Sequence, residues 1–272
     1  MSLTRSKVTA LLRDHGITPS KALGQHFLVD PNTARRIVRL AGVHDGDVVV
    51  EVGPGLGSLT LELLDAGAQV RAVEVDRRLA QVLREVTEGR CEVVEGDALD
   101  VDLAALCEGG GGGVRVVANL PYNVAVPIVV RVLEEAPGAA ALFVVVQAEV
   151  ADRLAARPGD PAYGAVSVKV AYYATAKVAG RIPRTVFLPE PNVDSSLVSI
   201  ERRAAVAVDP TVVSEQRLFS VVRTAFAHRR KMLRRSLDGL VAPDAYERAG
   251  VEPTQRPEEL DVQAFGRLAA MP

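Results

Sequence analysis

The chain of 272 residues is 48% apolar and carries a formal charge of −2, so it has the length and apolar content to bury one large core and a smaller one. Its opening residues are charged throughout and no apolar run approaches the roughly 18 to 20 residues of a membrane span, so neither an export signal nor a spanning helix is expected, and the cytoplasm is the expected location. Two cysteines, Cys91 and Cys107, and four scattered histidines make neither a disulfide scaffold nor a metal-ligand pattern, and no metal is expected.

In chain order, residues 1–20 read as an N-terminal arm carrying Arg5, Lys7 and Arg13, with Lys21 just beyond it. From Asp47 onward, short β-rich runs alternate with helical spacing, the mark of βαβ units and a mainly parallel sheet. The predicted strands are 48–52, 70–75, 91–96, 114–120 and 141–147, several of them apolar on both faces as buried parallel strands are. The predicted helices between them are 59–67, closing on Gly67, then 76–86 and 124–136. Gly109 to Gly113 has no side chains to pack and reads as a flexible surface loop. After a helical stretch at 149–156 and a loop at 158–164, residues 166–182 and 195–203 read as antiparallel strands that finish the sheet. A boundary falls near 203–210, beyond which 213–237, 244–250 and 262–270 have helical spacing. The expected architecture is α/β: a Rossmann-like sheet over 1–203 with helices on both faces, followed by a small all-helical domain over 204–272.

The strand ends carry the polar groups. The segment from Glu51 to Thr60 follows a strand, opens a helix and holds Gly53, Gly55 and Gly57, which let the backbone turn sharply and approach a ligand. Its spacing is G-x-G-x-G and not the dinucleotide G-x-G-x-x-G. Glu74 ends the next strand, where a carboxylate accepts both hydroxyls of a ribose, and Asp97 follows the third, placed to accept from an adenine amine. Asn119 ends the fourth. Four successive strand ends with such groups define one crevice. Without a P-loop or a phosphate-binding lysine the ligand is a nucleoside lacking a polyphosphate, and S-adenosylmethionine fits that description. The pentapeptide Asn119-Leu120-Pro121-Tyr122-Asn123 adds a short amide, carbonyls freed by a proline turn and an aromatic face, the equipment to grip the exocyclic amine of a flat base.

Seven blocks in order then carry a family resemblance: 21–28 (KALGQHFL), 51–60 (EVGPGLGSLT), 73–76 (VEVD), 96–99 (GDAL), 119–123 (NLPYN), 186–198 (VFLPEPNVDSSLV) and 226–237 (FAHRRKMLRRSL). The chain resembles the KsgA-type small-subunit ribosomal RNA adenine dimethyltransferases from about Lys21 to its last helices. The resemblance implies that His26, Leu28, Gly53, Glu74, Asp97 and Asn119 bind S-adenosylmethionine, with Gly55, Val75 and Ala98 lining the same cleft. Position 26 departs from the pattern, since many members have Asn there.

An adenine amine is a poor nucleophile because its lone pair is delocalised into the ring. Asn119 Oδ1 and the Leu120 carbonyl would accept its two hydrogens and free that lone pair for in-line attack on a sulfonium methyl, so orientation and preorganisation replace a general base. Tyr122 would stack on the extruded base and Phe187 is the candidate for its opposite face.

Between Arg217 and Leu237 there are seven basic residues and no Asp or Glu. Arg223, Arg229, Arg230, Lys231, Arg234 and Arg235 of that basic helix are expected to contact RNA phosphates. The resemblance implies transfer of two methyl groups to each of two adjacent adenines in the 3′-terminal hairpin loop of small-subunit (16S) rRNA, on a pre-30S particle, by a protein expected to be a monomer. A large-subunit (23S) rRNA adenine methyltransferase of the antibiotic-resistance type is the alternative, and an assembly-checkpoint RNA-binding protein with secondary methylation is another.

Overall fold

A computed structural model describes residues 2–20, 22–109 and 111–271. Lys21, expected beside the basic arm, and Gly110, inside the expected glycine loop, lie outside the described residues. The chain divides into two compact units, one of residues 1–151 and 177–202 and the other of residues 152–176 and 203–272.

The first unit begins with α1 (Arg5–Asp14), β1 (Phe27–Leu28), α2 (Pro31–Leu40), β2 (Val48–Val52), α3 (Ser58–Asp65), β3 (Gln69–Glu74) and α4 (Arg77–Val86). It continues with β4 (Glu92–Glu95), α5 (Leu103–Leu106), β5 (Val114–Asn119), α6 (Ala125–Glu135), β6 (Ala139–Gln147) and the start of α7 (Ala148–Ala155). After α8 (Ala165–Tyr173), which lies in the other unit, the chain returns through β7 (Ala174–Ile182), β8 (Phe187–Leu188) and β9 (Ser195–Arg202). Seven strands form one sheet in the order β4-β3-β2-β5-β6-β9-β7. The pairs from β4 to β6 are parallel and β9 runs antiparallel to β6. Every residue of β2 is buried, which explains its lack of alternation: both faces of a parallel strand are covered by helices. The helices start where short acids cap them, Asp30 accepting from the Thr33 amide and Asp76 from the Arg78 amide.

The strand order reverses at β2. From there the chain winds outward through β3 and β4, then crosses back to lay β5 on the other side. Connections therefore leave the carboxyl ends of β2 and β5 in opposite directions and open a crevice between them. A second, two-stranded ladder pairs β1 with β8, Phe27 opposite Leu188 and Leu28 opposite Phe187, and brings the segment before α2 to the segment before β9.

The expected N-terminal arm is a helix. Leu3, Val8, Leu12 and Ile17 bury against Phe27, Val29, Leu56 and Leu79, and Arg5 donates to the carbonyls of Thr185 and Phe187. Arg5 is thus engaged with the protein's own main chain.

The second unit holds the end of α7, α8, α9 (Glu215–Ala227), α10 (Leu233–Ser236), α11 (Ala245–Ala249) and α12 (Val262–Ala269). The sequence reading of 166–173 as strand is corrected here. The alternation V-S-V-K-V resembles a half-buried strand, yet Ser167 accepts from the Gly164 amide and donates to the Arg153 carbonyl, a local arrangement that starts a helix. Tyr172 then packs edge-on against Phe219 of α9 at 5.4 Å, and Tyr163 against Phe226 at 6.0 Å. The helical unit consequently includes 152–176 in addition to the C-terminal stretch.

The long basic helix is also interrupted. His228 leaves helical geometry, and the amides of Leu233 and Arg234 bond to the carbonyls of Gln255 and Pro253 instead of to the preceding turn. Arg229 turns inward, bonding Glu258 at 2.6 Å and the Pro161 carbonyl at 2.8 Å. Arg223, Arg230, Lys231, Arg234 and Arg235 remain exposed. Among the described residues no helix is long and apolar enough to cross a membrane.

Arg202 closes α6. Its guanidinium donates to the carbonyls of Val132, Leu133, Ala136 and Ala139 at 2.8 to 3.0 Å, satisfying acceptors that a helix end leaves open. Arg202→Met is expected to lower stability by about 3 kcal/mol and Arg202→Lys by roughly half as much, because one ammonium cannot serve four carbonyls; urea unfolding midpoints check both.

Candidate active site

The crevice at the carboxyl ends of β2, β3, β4 and β5 is a cleft of about 890 Å³ including its mouth. His26, Leu28, Gly53, Gly55, Glu74, Val75, Asp97, Ala98, Asn119, Leu120 and Tyr122 all line it. Residues from four strand ends and from the segment around β1 thus meet at one site, as the sequence pattern predicts.

At the end of β2 the backbone takes positive φ at Gly53 (68°) and Gly55 (58°), conformations that disfavour any side chain. A Cβ at Gly53 would sit 3.3 Å from Pro121 Cδ, and one at Gly55 would sit 2.9 Å from the Phe27 ring. These glycines let the turn run against the wall of the cleft.

Glu74 is buried, with Oε2 accepting the Gly55 amide at 3.0 Å and Oε1 the Asp76 amide at 3.0 Å. Burial pushes its carboxyl above the usual carboxylate range, and the two amides pull the other way. Each oxygen retains a second acceptor site, so a pair of ribose hydroxyls can still be received. Asp97 is exposed, and its Oδ1 accepts the Leu99 amide at 2.8 Å, so it shapes the turn after β4 while presenting its other oxygen. Beside it Val75 offers an apolar surface that is 49% exposed at the lip of the cleft.

Asn119 donates from Nδ2 to the His26 carbonyl at 3.0 Å, and its Oδ1 is buried without a hydrogen-bond partner. A carbonyl only accepts, so this bond fixes which end of the amide is which. An orphaned buried acceptor is costly, and a catalytic role is one of the explanations for it. Leu120 is buried and its amide donates to the Val145 carbonyl, which fixes that peptide plane. Tyr122 bonds Ser195 Oγ at 2.6 Å through its hydroxyl, and burial raises the phenol so that it stays neutral. The His26 ring lies over the Tyr122 ring with centroids 5.0 Å apart and planes 27° from parallel.

Phe187 departs from the sequence assignment. It is 1% exposed, lies in the core with Leu28, Ile37 and Leu197, and does not line the cleft. Its place in β8, opposite Leu28, turns the ring into the core, so it does not form the opposite wall of a base slot.

Glu51 is a site residue that sequence reasoning missed. It is fully buried in β2, accepts Thr60 Oγ1 at 2.6 Å, and its carboxyl is pushed up to about 8, chiefly by loss of solvent and in smaller part by the charge of Glu74. A single acid inside the run VVVEV is the available signal. Among the described residues, those lining the cleft include Glu51, Glu74 and Asp97 and no Lys or Arg. Such walls suit a neutral or cationic ligand and repel a phosphate chain. S-adenosylmethionine, a nucleoside bearing a sulfonium cation, fits this donor set.

Residues 18–270 match the family described as Ribosomal RNA adenine dimethylase. The chain is 51% identical over 267 residues to Ribosomal RNA small subunit methyltransferase A of Leifsonia xyli subsp. xyli, covering 94% of this chain and 93% of that one. The protein of the same name from Thermobifida fusca is 49% identical, covering 98% and 95%. Among solved structures, a dimethyladenosine transferase from Plasmodium falciparum superposes with a TM-score of 0.75 at 23% identity, covering 89% of this chain and 96% of that one. The 23S rRNA methyltransferase ErmE superposes with a TM-score of 0.68 at 30% identity, covering 89% and 99%.

The proton on Glu51 has a thermodynamic signature. The folded chain keeps it up to about pH 8, whereas an unfolded chain releases it near 4.5. The stability this group lends is therefore complete below pH 4.5 and is lost as pH rises to about 8. The loss amounts to at most about 5 kcal/mol. Glu51→Gln is expected to flatten the fall in urea midpoint between pH 5 and pH 8; parallel profiles for the variant and the parent would contradict the burial of a neutral acid.

Proposed function

The chain belongs to the ribosomal RNA adenine dimethylase family, and from that premise we propose that it dimethylates N6 of two adjacent adenines in the 3′-terminal hairpin loop of small-subunit (16S) rRNA during ribosome assembly. Its substrate is the pre-30S particle, on which it acts as a monomer in the cytoplasm. Relatives 49% to 51% identical over nearly the whole chain are named for the small subunit, against 30% identity to the large-subunit enzyme, which favours the small-subunit target.

The observation that carries the reading is the Asn119 amide, locked by the His26 carbonyl with Oδ1 left as an unpartnered acceptor. S-adenosylmethionine supplies an electrophilic methyl on a sulfonium. Glu74 would hold its ribose hydroxyls, Asp97 would accept from its adenine amine, and Gly53, Gly55, Val75 and Ala98 would line the rest of its place. Asn119 Oδ1 and the Leu120 carbonyl accept the hydrogens of the target amine, which withdraws its lone pair from the ring and aims it at the methyl. Bonding of that nitrogen to the methyl would break the methyl–sulfur bond and leave the donor as a neutral thioether, and the cationic methylated nitrogen would return to a neutral amine by losing its proton to solvent. Tyr122, held through its hydroxyl by Ser195, stacks on the base.

In the helical unit Arg223, Arg230, Lys231, Arg234 and Arg235 serve as phosphate contacts. Arg229 is set apart from them, because its guanidinium is paired with Glu258. Of the six basic residues that the sequence suggests for this surface, five remain, and Arg229 instead holds its fold.

Labelling purified small and large subunits with methyl-labelled cofactor tests the target; label found only in the large subunit would overturn it. Asn119→Ala is expected to lower the methylation rate by about 10²- to 10³-fold while RNA affinity stays within a factor of two. Replacing Arg234 and Arg235 together by Ala is expected to weaken RNA binding and to reduce the slope of log K against log salt by roughly 1.5 to 2; filter binding across a salt series reads that slope.

A further inference from the structure

We propose that Asn123 is a positioning residue that seats the segment of residues 22–26 as one wall of the cofactor cleft. The inference rests on the methyl-transfer reading above and assigns a role to the last residue of the 119–123 turn, which does not itself line the cleft. That turn is closed by the Val124 amide on the Pro121 carbonyl at 3.2 Å, and it carries an asparagine on each side of its proline. Both side-chain amides reach the same segment. Asn119 Nδ2 donates to the His26 carbonyl at 3.0 Å, and Asn123 Nδ2 donates to the Ala22 carbonyl at 3.1 Å. Residues 119 and 123 therefore hold residues 26 and 22, so the two segments lie alongside in opposite directions and are tied at both ends.

Between the ties the two segments meet closely. Gly24 takes a φ of 61°, and a Cβ there would lie 2.8 Å from Asn123 Oδ1 and 3.2 Å from the Tyr122 main-chain nitrogen. The segment also closes on itself, the Gln25 amide bonding the Ser20 carbonyl at 3.1 Å and the Ser20 amide bonding Gln25 Oε1 at 2.8 Å. It is thus a small preformed loop whose seat against the turn is set by two asparagines. Residues 23–26 line the cleft, as do residues 119–122, so the ties run between two walls of one site. Asn119 has a second task, because its Oδ1 faces no protein partner. Asn123 has the tie alone. A loop that is loose in the free protein must be ordered by the ligand it contacts, and that ordering cost is read as weaker binding. The Asn123 tie meets the cost in advance, and since Asn123 is exposed to water the gain is that of a single modest hydrogen bond.

The test compares wild type, Asn123→Ala and Asn123→Asp, the last keeping the shape of the side chain while replacing its N–H donors by an acceptor. Calorimetry gives the dissociation constant of S-adenosylmethionine, methylation of small subunits at saturating cofactor gives kcat, and hydrogen exchange follows the amides of residues 22–26. The expected dissociation constant rises about 3- to 10-fold in both variants, with kcat falling by a smaller factor. Exchange at residues 22–26 is expected to quicken in the free variants and to return to the wild-type rate when cofactor is added. An unchanged dissociation constant, exchange equal to that of wild type, or a fall in kcat larger than the loss of affinity overturns the proposal. If the Ala variant does not fold, the Asp variant alone decides on the same readouts. Failure of the underlying reading looks different, because wild type itself would then bind no S-adenosylmethionine and leave small subunits unlabelled.

Discussion

Glu74 bonds the Gly55 amide with one oxygen and the Asp76 amide with the other, and this bridge across the ends of β2 and β3 is the constraint from which the cleft is built. Parallel strands end by leaving main-chain donors without ladder partners, and a sharp glycine turn leaves more. A single carboxylate collects two of them in a buried place, which fixes the turn against β3 and leaves acceptor capacity toward the cleft. Glu51, one strand over, faces the same desolvation with Thr60 as the hydroxyl that supports it, and keeps its proton. The cleft floor therefore holds one acid bonded by two amides beside another whose carboxyl is pushed up to about 8. Two ionised carboxyls there would repel each other, and the upward shift of Glu51 is in the direction that relieves this.

Much of this is legible in the sequence because the site sits at strand ends. A strand of apolar residues followed by Gly, Glu, Asp or Asn announces both the end of burial and the start of the crevice, which is why spacing alone points to Gly53, Glu74, Asp97 and Asn119. The parts that escape do so for physical reasons. Residues 165–173 alternate like a strand, and only tertiary packing with Phe219 and a serine cap at Gly164 select the helix. Phe187 stands in a family motif beside the site, but motif membership does not say on which side of a two-residue ladder a ring falls. Arg229 reads like its basic neighbours because its partner, Glu258, lies 29 residues further on and no local pattern announces it.

The two units divide the labour chemically. The cleft is walled by carboxyls and by groups that accept hydrogens, suiting a cation and an amine, whereas the exposed basic residues of the helical unit suit phosphate. The near-zero net charge of the whole chain conceals both. On the function proposed above, polyanion binding falls to one unit and methyl transfer to the other.

The ladder between β1 and β8 has a temporal meaning. The glycine turn, Glu74, Asp97 and Asn119 all precede residue 120, whereas the partners of the His26 ring and the Tyr122 hydroxyl, Pro189 and Ser195, come much later in the chain. During synthesis the strand-end residues of the cleft are translated well before Pro189 and Ser195, and contacts of such sequence separation are the kind whose loop closure slows folding. A nascent chain thus carries the strand-end residues of the cleft before it carries the partners of these two side chains.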